Sequence, residues 1–303
     1  MTHAAHASHH HDSNAATPAA WTFVDGTWHE GNPAIAGPLT HAFWCASSVF
    51  DGARVFEGVA PDLLPHCQRV NQSAHALHLE PTMEPEEIAN LSLDAARRFA
   101  MDEALYVRPM YFAEAGGFMG VPPDASSTRF CLTVFHVPMP DWEAGMRVGL
   151  TSFRRPTLET MPTNAKSGCL YPNNGRAILE VQKRGFQNAL VLDMLGNVAE
   201  LATANVFLVR DGVVQTPAPN GTFLNGITRQ RIIGLLRDAG IAVEETILSV
   251  ADFHQADEVF SCGNYGKVTP ITHFEGRDLA VGAVTKKAKN LYWAFAHDGS
   301  NAP

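Results

Sequence analysis

Positive charge is scarce in this chain: 303 residues hold 22 Lys and Arg against 31 Asp and Glu, a formal charge of -9. A surface with that balance repels a phosphate backbone, so no nucleic-acid partner is expected, while a local basic site for a small anion stays open. Long apolar runs are also lacking. No stretch of the sequence approaches the ~20 residues that cross a bilayer, and the start has no basic segment leading into an apolar one. Neither membrane association nor a signal peptide is expected. Cysteine is sparse: Cys45, Cys67, Cys131, Cys169 and Cys262 are scattered, odd in number and without a CxxC. That pattern argues against a disulfide framework and a zinc site, and it suits a reducing cytoplasm.

What is present describes a globular chain. Hydrophobic residues make up 46% and charged residues 17%, and the length fits two domains of ordinary size. Residues 1–20, rich in Ala, His, Ser and Asn without an apolar period, read as a disordered tail. "WTFVDGTWHEG" from Trp21 is a hairpin signal around Asp-Gly, and "SSVFDGARVFEG" is a second strand–turn–strand candidate. Residues 66–79 and 85–101 carry helical spacing, and "ALYVRPMYF" and "RFCLTVFHVPM" read as strands. The first part is therefore predicted to be a small two-layer α/β (α+β) domain over 21–137. Two prolines and little pattern mark 138–145 as the linker. A larger domain over 146–303 follows, with helices predicted in "LYPNNGRAILEVQKRG", "TRQRIIGLLRDAG" and "TKKAKNLYWAFAH" between strand pairs.

The candidate chemistry lies in the second part. Lys166 stands after a Pro-Thr-Asn turn and just before a helix. Taken alone it reads either as a solvated surface lysine or as a buried amine with a chemical task. Glu200 ends a strand before the small residues "LATA" and reads either as a site carboxylate or as a surface Glu at a turn. Gly226, Ile227 and Thr228 open a helix, where free N–H groups and the dipole make an anion site. Thr228 is also a good N-cap, and capping alone would explain it.

The order of these pieces carries more than each piece does. "E-x-A-x-x-N-V-F", a six-residue gap, "V-x-T" and then "L-x-G-I-x-R" resemble the signature of the class IV (fold type IV) pyridoxal-phosphate aminotransferases. The resemblance runs from about Phe43 to Pro270, and the chain is most similar to the branched-chain amino acid aminotransferases of that superfamily. It implies fold type IV, a small two-layer α/β domain beside a larger pseudo-barrel domain. A homodimer or higher homo-oligomer is also implied, with a partner loop closing a cleft between the domains. Lys166 matches the lysine that holds pyridoxal 5'-phosphate as an internal aldimine and then moves the proton between the substrate and the cofactor; a primary amine is needed for both. Desolvation or nearby cations would lower its pKa. Glu200 matches the carboxylate that keeps the pyridine nitrogen protonated. Arg69 matches the phosphate arginine, whose planar fork suits a dianion. Gly226, Ile227 and Thr228 match the phosphate cradle, and Tyr171 matches the tyrosine beside the phenolic oxygen.

The resemblance places the substrate groups in the smaller domain. Phe50, Gly52 and Arg54 match "F-x-G-x-R". Tyr106 and Arg108 match "Y-x-R", sharing one face of an alternating strand as a carboxylate site. Trp44 and Met161 are expected with Phe50 in an apolar side-chain pocket, whereas Arg154 and Arg155 are read either as approaching the site or as solvated. The chain departs from the family where Gly-Thr-Ala-Ala is usual: here the loop is Gly263-Asn264-Tyr265-Gly266. Asn264 still has a donor for the cofactor, and Tyr265 adds bulk on the substrate side. Cys45 replaces a tyrosine and Asp51 a glutamate. The implied reaction exchanges an amino group between a branched-chain L-amino acid donor and 2-oxoglutarate as the 2-oxo acid acceptor. Rival readings are an (R)-selective amine transaminase or D-amino acid aminotransferase, an aminodeoxychorismate-type lyase, and a non-enzymatic scaffold.

Overall fold

The structure is a computed structural model that describes residues 19–299 and 301. The tail expected over 1–20 lies outside the described residues except for its last two. Ala20 already begins a strand.

Six strands form the first sheet: β1 (Ala20–Val24), β2 (Thr27–Glu30), β3 (Ser48–Phe50), β4 (Ala53–Val55), β5 (Leu105–Ala113) and β6 (Thr128–His136). Their order is β2-β1-β6-β5-β3, with β4 also on β5, and every pair is antiparallel. Asp25 and Gly26 join β1 to β2 with φ of 51° and 77°, the backbone a tight two-residue hairpin requires. Helix α1 (His41–Cys45) precedes β3, while α2 (Leu63–Ala76) and α3 (Pro85–Ala96) cover one face of the sheet. Cys67, Val70, Ala74 and Ile88 there pack with Val49, Val107, Leu132 and Val134 in one buried core. The other face of β5 is half-buried at Tyr106, Arg108 and Met110, the period-2 pattern of a strand facing a cleft.

The strand–turn–strand expected over "SSVFDGARVFEG" is not a hairpin. β3 and β4 lie end to end on β5 in a single register, Phe50 opposite Met110 and Ala53 opposite Val107. The break at Asp51-Gly52 falls opposite Pro109, which has no N–H to offer the ladder. Asp51 N still donates to Pro109 O at 3.0 Å, so the chain steps rather than turns.

Residues 137–145 hold neither strand nor helix, and the second sheet follows them. It contains β7 (Met146–Arg154), β8 (Asn188–Leu192), β9 (Val198–Leu201), β10 (Asn205–Arg210), β11 (Val213–Pro217), β12 (Val243–Thr246), β13 (Glu258–Gly263), β14 (Lys267–Phe274) and the short β15 (Arg277–Asp278). The order is β12-β11-β10-β13-β14-β7-β8-β9, with β15 on β14. Leu201 N donates to Ala204 O at 2.8 Å in the turn that leads from the edge strand β9 into β10, and the sheet is a curved half-barrel with β12 and β9 at its edges. Helix α4 (Tyr171–Gln182) crosses between the parallel strands β7 and β8, and α5 (Ile227–Asp238) between the parallel pair β11 and β12. The short α6 (Val250–Gln255), opened by a Ser249–Asp252 capping box, and α7 (Ala283–Ala296) complete the chain. Phe207, Phe260, Ile232, Leu236 and Tyr292 bury α5 and α7 against the sheet.

Candidate active site

A cavity of about 740 Å³ opens between the two sheets. Its walls come from the exposed face of β5, the step at Gly52, the segment 165–171, the β9–β10 turn, the start of α5 and the β13–β14 turn. Such turns and helix ends are where backbone N–H groups are left unpaired.

Lys166 is tied by its backbone to the first sheet and the helix that covers it. Its N–H donates to Ser73 Oγ on α2 at 3.0 Å, and its carbonyl accepts from Phe50 N at 3.0 Å. Val49 and Ser167 form a β-bridge beside it. The side chain enters the cavity, where Nζ donates to Tyr171 Oη at 2.8 Å and lies 4.8 Å from the Phe50 ring centre. Burial acts to lower the Lys166 pKa, as expected from its surroundings. The phenols of Tyr171 and Tyr106, which ionise in the same range, outweigh it, and the net shift is upward. The expected depression is thus corrected for the ligand-free protein.

Glu200 closes the opposite end. Its side chain is 12% exposed, Arg155 Nε stands 3.3 Å from Oε1, and Asn205 Nδ2 lies 3.4 Å from Oε2. Burial pushes its carboxyl up to about 7, opposed by the charges of Arg155 and Lys166. Arg155 is not solvated: it also donates to Thr222 O and to Asn174 Oδ1. Arg154, one residue earlier on the alternating strand, is exposed.

Arg69 projects from α2 and is held by Asp51, Nε at 2.6 Å and Nη2 at 2.8 Å. Asp51 is fully buried and also bonds His66 Nδ1 at 2.7 Å. Burial would raise the Asp51 carboxyl, but Arg69 and His66 together hold it well below the usual carboxylate range. His66 Nε2 is buried at the cavity wall without a partner among the described residues. Opposite, Gly226, Ile227 and Thr228 line the cavity at the start of α5. The cap is Gly226; Thr228 is the second helical residue and makes no cap, which corrects the capping alternative. A Cβ on Gly226 would overlap Asn205 Oδ1, so glycine is required there.

Tyr106 and Arg108 do share the cavity face of β5, joined by Met110 and by Phe135 across the ladder. Gly52 allows Tyr106 Oη to sit against its Cα, where a Cβ would overlap it. Asn264 lines the wall beside them, and Tyr265 stands at the mouth, 55% exposed. Three expectations are corrected. Arg54 is fully buried behind the wall, bonded to Val137 O at 2.7 Å with its guanidinium 5.8 Å from the Tyr265 ring centre, and does not line the cavity. Trp44, 58% exposed, sits on α1 against His41, away from the cavity, and Met161 is also outside it. Missed in the sequence were His66, Asn174 and Asn205. Only the spacing of His66 and Arg69, one helical turn apart, signalled any of them.

Residues 48–274 match the family model described as amino-transferase class IV. The chain belongs to that family. It is accordingly a pyridoxal-phosphate-dependent aminotransferase of fold type IV. It is 31% identical over 266 residues to a branched-chain-amino-acid aminotransferase of Escherichia coli (strain K12), covering 85% of each chain. A putative branched-chain-amino-acid aminotransferase of Methanocaldococcus jannaschii is 30% identical, with 89% of this chain and 94% of the relative covered. Among solved structures, an aminotransferase from Brucella abortus bound to the cofactor PLP is 55% identical with a TM-score of 0.91, covering 92% of this chain and 99% of that one. The branched-chain aminotransferase of the archaeon Thermoproteus uzoniensis, solved with norvaline, has a TM-score of 0.83 at 27% identity, covering 92% and 96%.

Proposed function

We propose that the cavity holds pyridoxal 5'-phosphate and exchanges amino groups between a branched-chain L-amino acid and 2-oxoglutarate. The observation that carries this reading is the convergence in one cavity of a lysine bonded to a tyrosine, a buried carboxylate and an arginine clamped by Asp51. The donor set fits the cofactor at each end. Arg69 and the free N–H groups at Gly226, Ile227 and Thr228 suit a phosphate dianion. Glu200 suits a protonated ring nitrogen, and Tyr171 a phenolate oxygen. When bound, the cofactor supplies an electron sink for the substrate carbanion.

The chain's own residues do the rest. Lys166 supplies the amine that takes the α-proton and returns it, with Tyr171 Oη 2.8 Å away to hold Nζ in place. Glu200, deprived of water, gains from a cation in front of it, which stabilises its ionised form. Tyr106 and Arg108 bind the substrate's carboxylate, and Phe50, Met110 and Phe135 exclude water around an aliphatic side chain. The substrate pair is supported by the relatives' names and by a further branched-chain amino acid aminotransferase solved in complex with N-(5'-phosphopyridoxyl)-L-glutamate.

Two folding units, 21–137 and 146–303, joined by 138–145, are part of this reading. So is a homodimer. Leu39, Phe43, Trp44, Phe118, Met119 and Val121 are large apolar side chains left exposed, and a second copy would cover them. Five free thiols suit a cytoplasmic setting. A donor screen with L-leucine, D-alanine and (R)-1-phenylethylamine tests the substrate assignment. Faster transfer from L-leucine is expected; preference for either of the others overturns it.

A further inference from the structure

Lys267 is a lysine that the proposed reaction does not use. It is 1% exposed, begins β14 with φ of 58°, and faces the ring of Tyr292 at 5.6 Å. Residues with a Cβ seldom adopt that left-handed backbone, so something local holds it there. Its Nζ donates to Asn264 Oδ1 at 2.8 Å.

That bond decides which way the Asn264 amide faces. As an ammonium Lys267 has three N–H donors and no lone pair, so it meets the oxygen of the amide and not the nitrogen; burial brings its pKa down to about 7, so this hold is firm below that pH. Nδ2 is then turned away from Lys267. It is buried, lines the cavity and has no partner among the described residues. A Cβ on Gly52 would stand 3.2 Å from Nδ2 and overlap Tyr106 Oη, so both groups flank the space that Gly52 leaves open. Arg108 Nε is buried and unpartnered on the same wall. Two groups that can only donate, Asn264 Nδ2 and Arg108 Nε, therefore line one wall with a hydroxyl, Tyr106 Oη, that is able to donate, a set that suits a carboxylate.

We propose that Lys267 is a positioning residue: it fixes the side-chain amide of Asn264 so that Nδ2, together with Tyr106, donates to the carboxylate of the substrate. This rests on the aminotransferase reading and moves Asn264 from the cofactor to the substrate end of the cavity. Lys267 touches neither substrate nor cofactor.

The test uses the holoenzyme and two probes of equal carbon skeleton, 4-methylvalerate, which has only the carboxylate, and 4-methylpentylamine, which lacks it. Wild type, Lys267→Met, Asn264→Ala and the double variant are titrated by calorimetry, with KM and kcat for L-leucine measured alongside. Each single variant is expected to weaken 4-methylvalerate binding ~10-fold, as for the loss of one hydrogen bond to a charged group. KM for L-leucine should rise with kcat less affected, amine binding should stay unchanged, and the double variant should be no weaker than Asn264→Ala. Wild-type affinity for 4-methylvalerate in Asn264→Ala overturns the proposal. So do equal losses for both probes in Lys267→Met, or additive losses in the double variant. Should Lys267→Met fail to fold, Asn264→Asp decides, since its second oxygen would repel the probe. Binding as tight as that of Asn264→Ala would refute the assignment. A wild-type enzyme that transfers no amino group from any L-amino acid defeats the underlying reading instead, and is recognised before any variant is made.

Discussion

Arg155 Nε and Glu200 Oε1 stand 3.3 Å apart at the end of the cavity, so this carboxylate already holds one cation before any ligand arrives. One guanidinium does not offset its loss of water, and its carboxyl still rises to about 7 from 4.5. A raised carboxyl favours the fold while it is protonated. That contribution is full below about pH 4.5 and is lost as pH rises through about 7. Glu200→Gln, which cannot ionise, should therefore gain stability relative to the wild-type protein across this window, by about 3 kcal/mol at the upper end. Urea denaturation of the ligand-free proteins at pH 4.5 and 7.5 measures the difference. The same variant should transaminate roughly 100-fold more slowly, the usual effect of losing a placed charge.

Lys166→Ala removes the only amine that lines the cavity among the described residues. Turnover should fall to background, and the visible band of the bound cofactor should be lost. Borohydride reduction of the wild-type holoenzyme followed by peptide mapping should place the label on Lys166. A label elsewhere would refute its role.

Asp51 holds Arg69 and His66 together, and its own carboxyl is held far below the ordinary 3.8. Its contribution is present above about pH 3.8 and is lost as pH falls toward its folded value. Asp51→Asn should cost ~3–5 kcal/mol at pH 7, as for breaking a buried ion pair, with the gap narrowing only in strong acid. Because Arg69 is freed at the same time, the variant should also bind pyridoxal 5'-phosphate at least 10-fold less tightly, which equilibrium dialysis reads directly.

Gly226→Ala would drive a methyl group into Asn205 Oδ1. Asn205 must then move, releasing its contact with Glu200 and its 3.1 Å bond to Leu224 O. A stability loss of ~1–3 kcal/mol is expected for such overpacking, with weaker cofactor binding at the helix start. Thermal unfolding with and without the cofactor separates the two effects.

Elements with strong local rules were legible in the sequence. The apolar spacing of α5 and the Asp-Gly hairpin after Trp21 were both visible, and the structure has α5 over Ile227–Asp238 and β1 paired to β2 across Asp25-Gly26. α1 was missed because five residues give no period to read. The step between β3 and β4 was misread because its cause is Pro109, over fifty residues away, on the opposing strand. The cavity residues found in advance were those in contiguous motifs. Arg155 was left open because its partner, Glu200, is 45 positions on, on β9, and comes near only because β8 pairs with both the end of β7 and β9. Arg54 was placed at the substrate because it shares a face with its motif neighbours and pairs with Tyr106, yet Val137 O and Met139 Sδ bind its guanidinium and Tyr265 stands over it, contacts from distant segments that the motif does not show.

The step in the first sheet has a consequence of its own. Two adjoining residues separate there, Asp51 turning inward to Arg69 and Gly52 making room for Tyr106. The proposed phosphate arginine and the proposed carboxylate tyrosine are thus geared to the same dipeptide. Inserting or deleting a single residue at that point would throw both out of alignment together, whereas a substitution at either position could disturb one and spare the other.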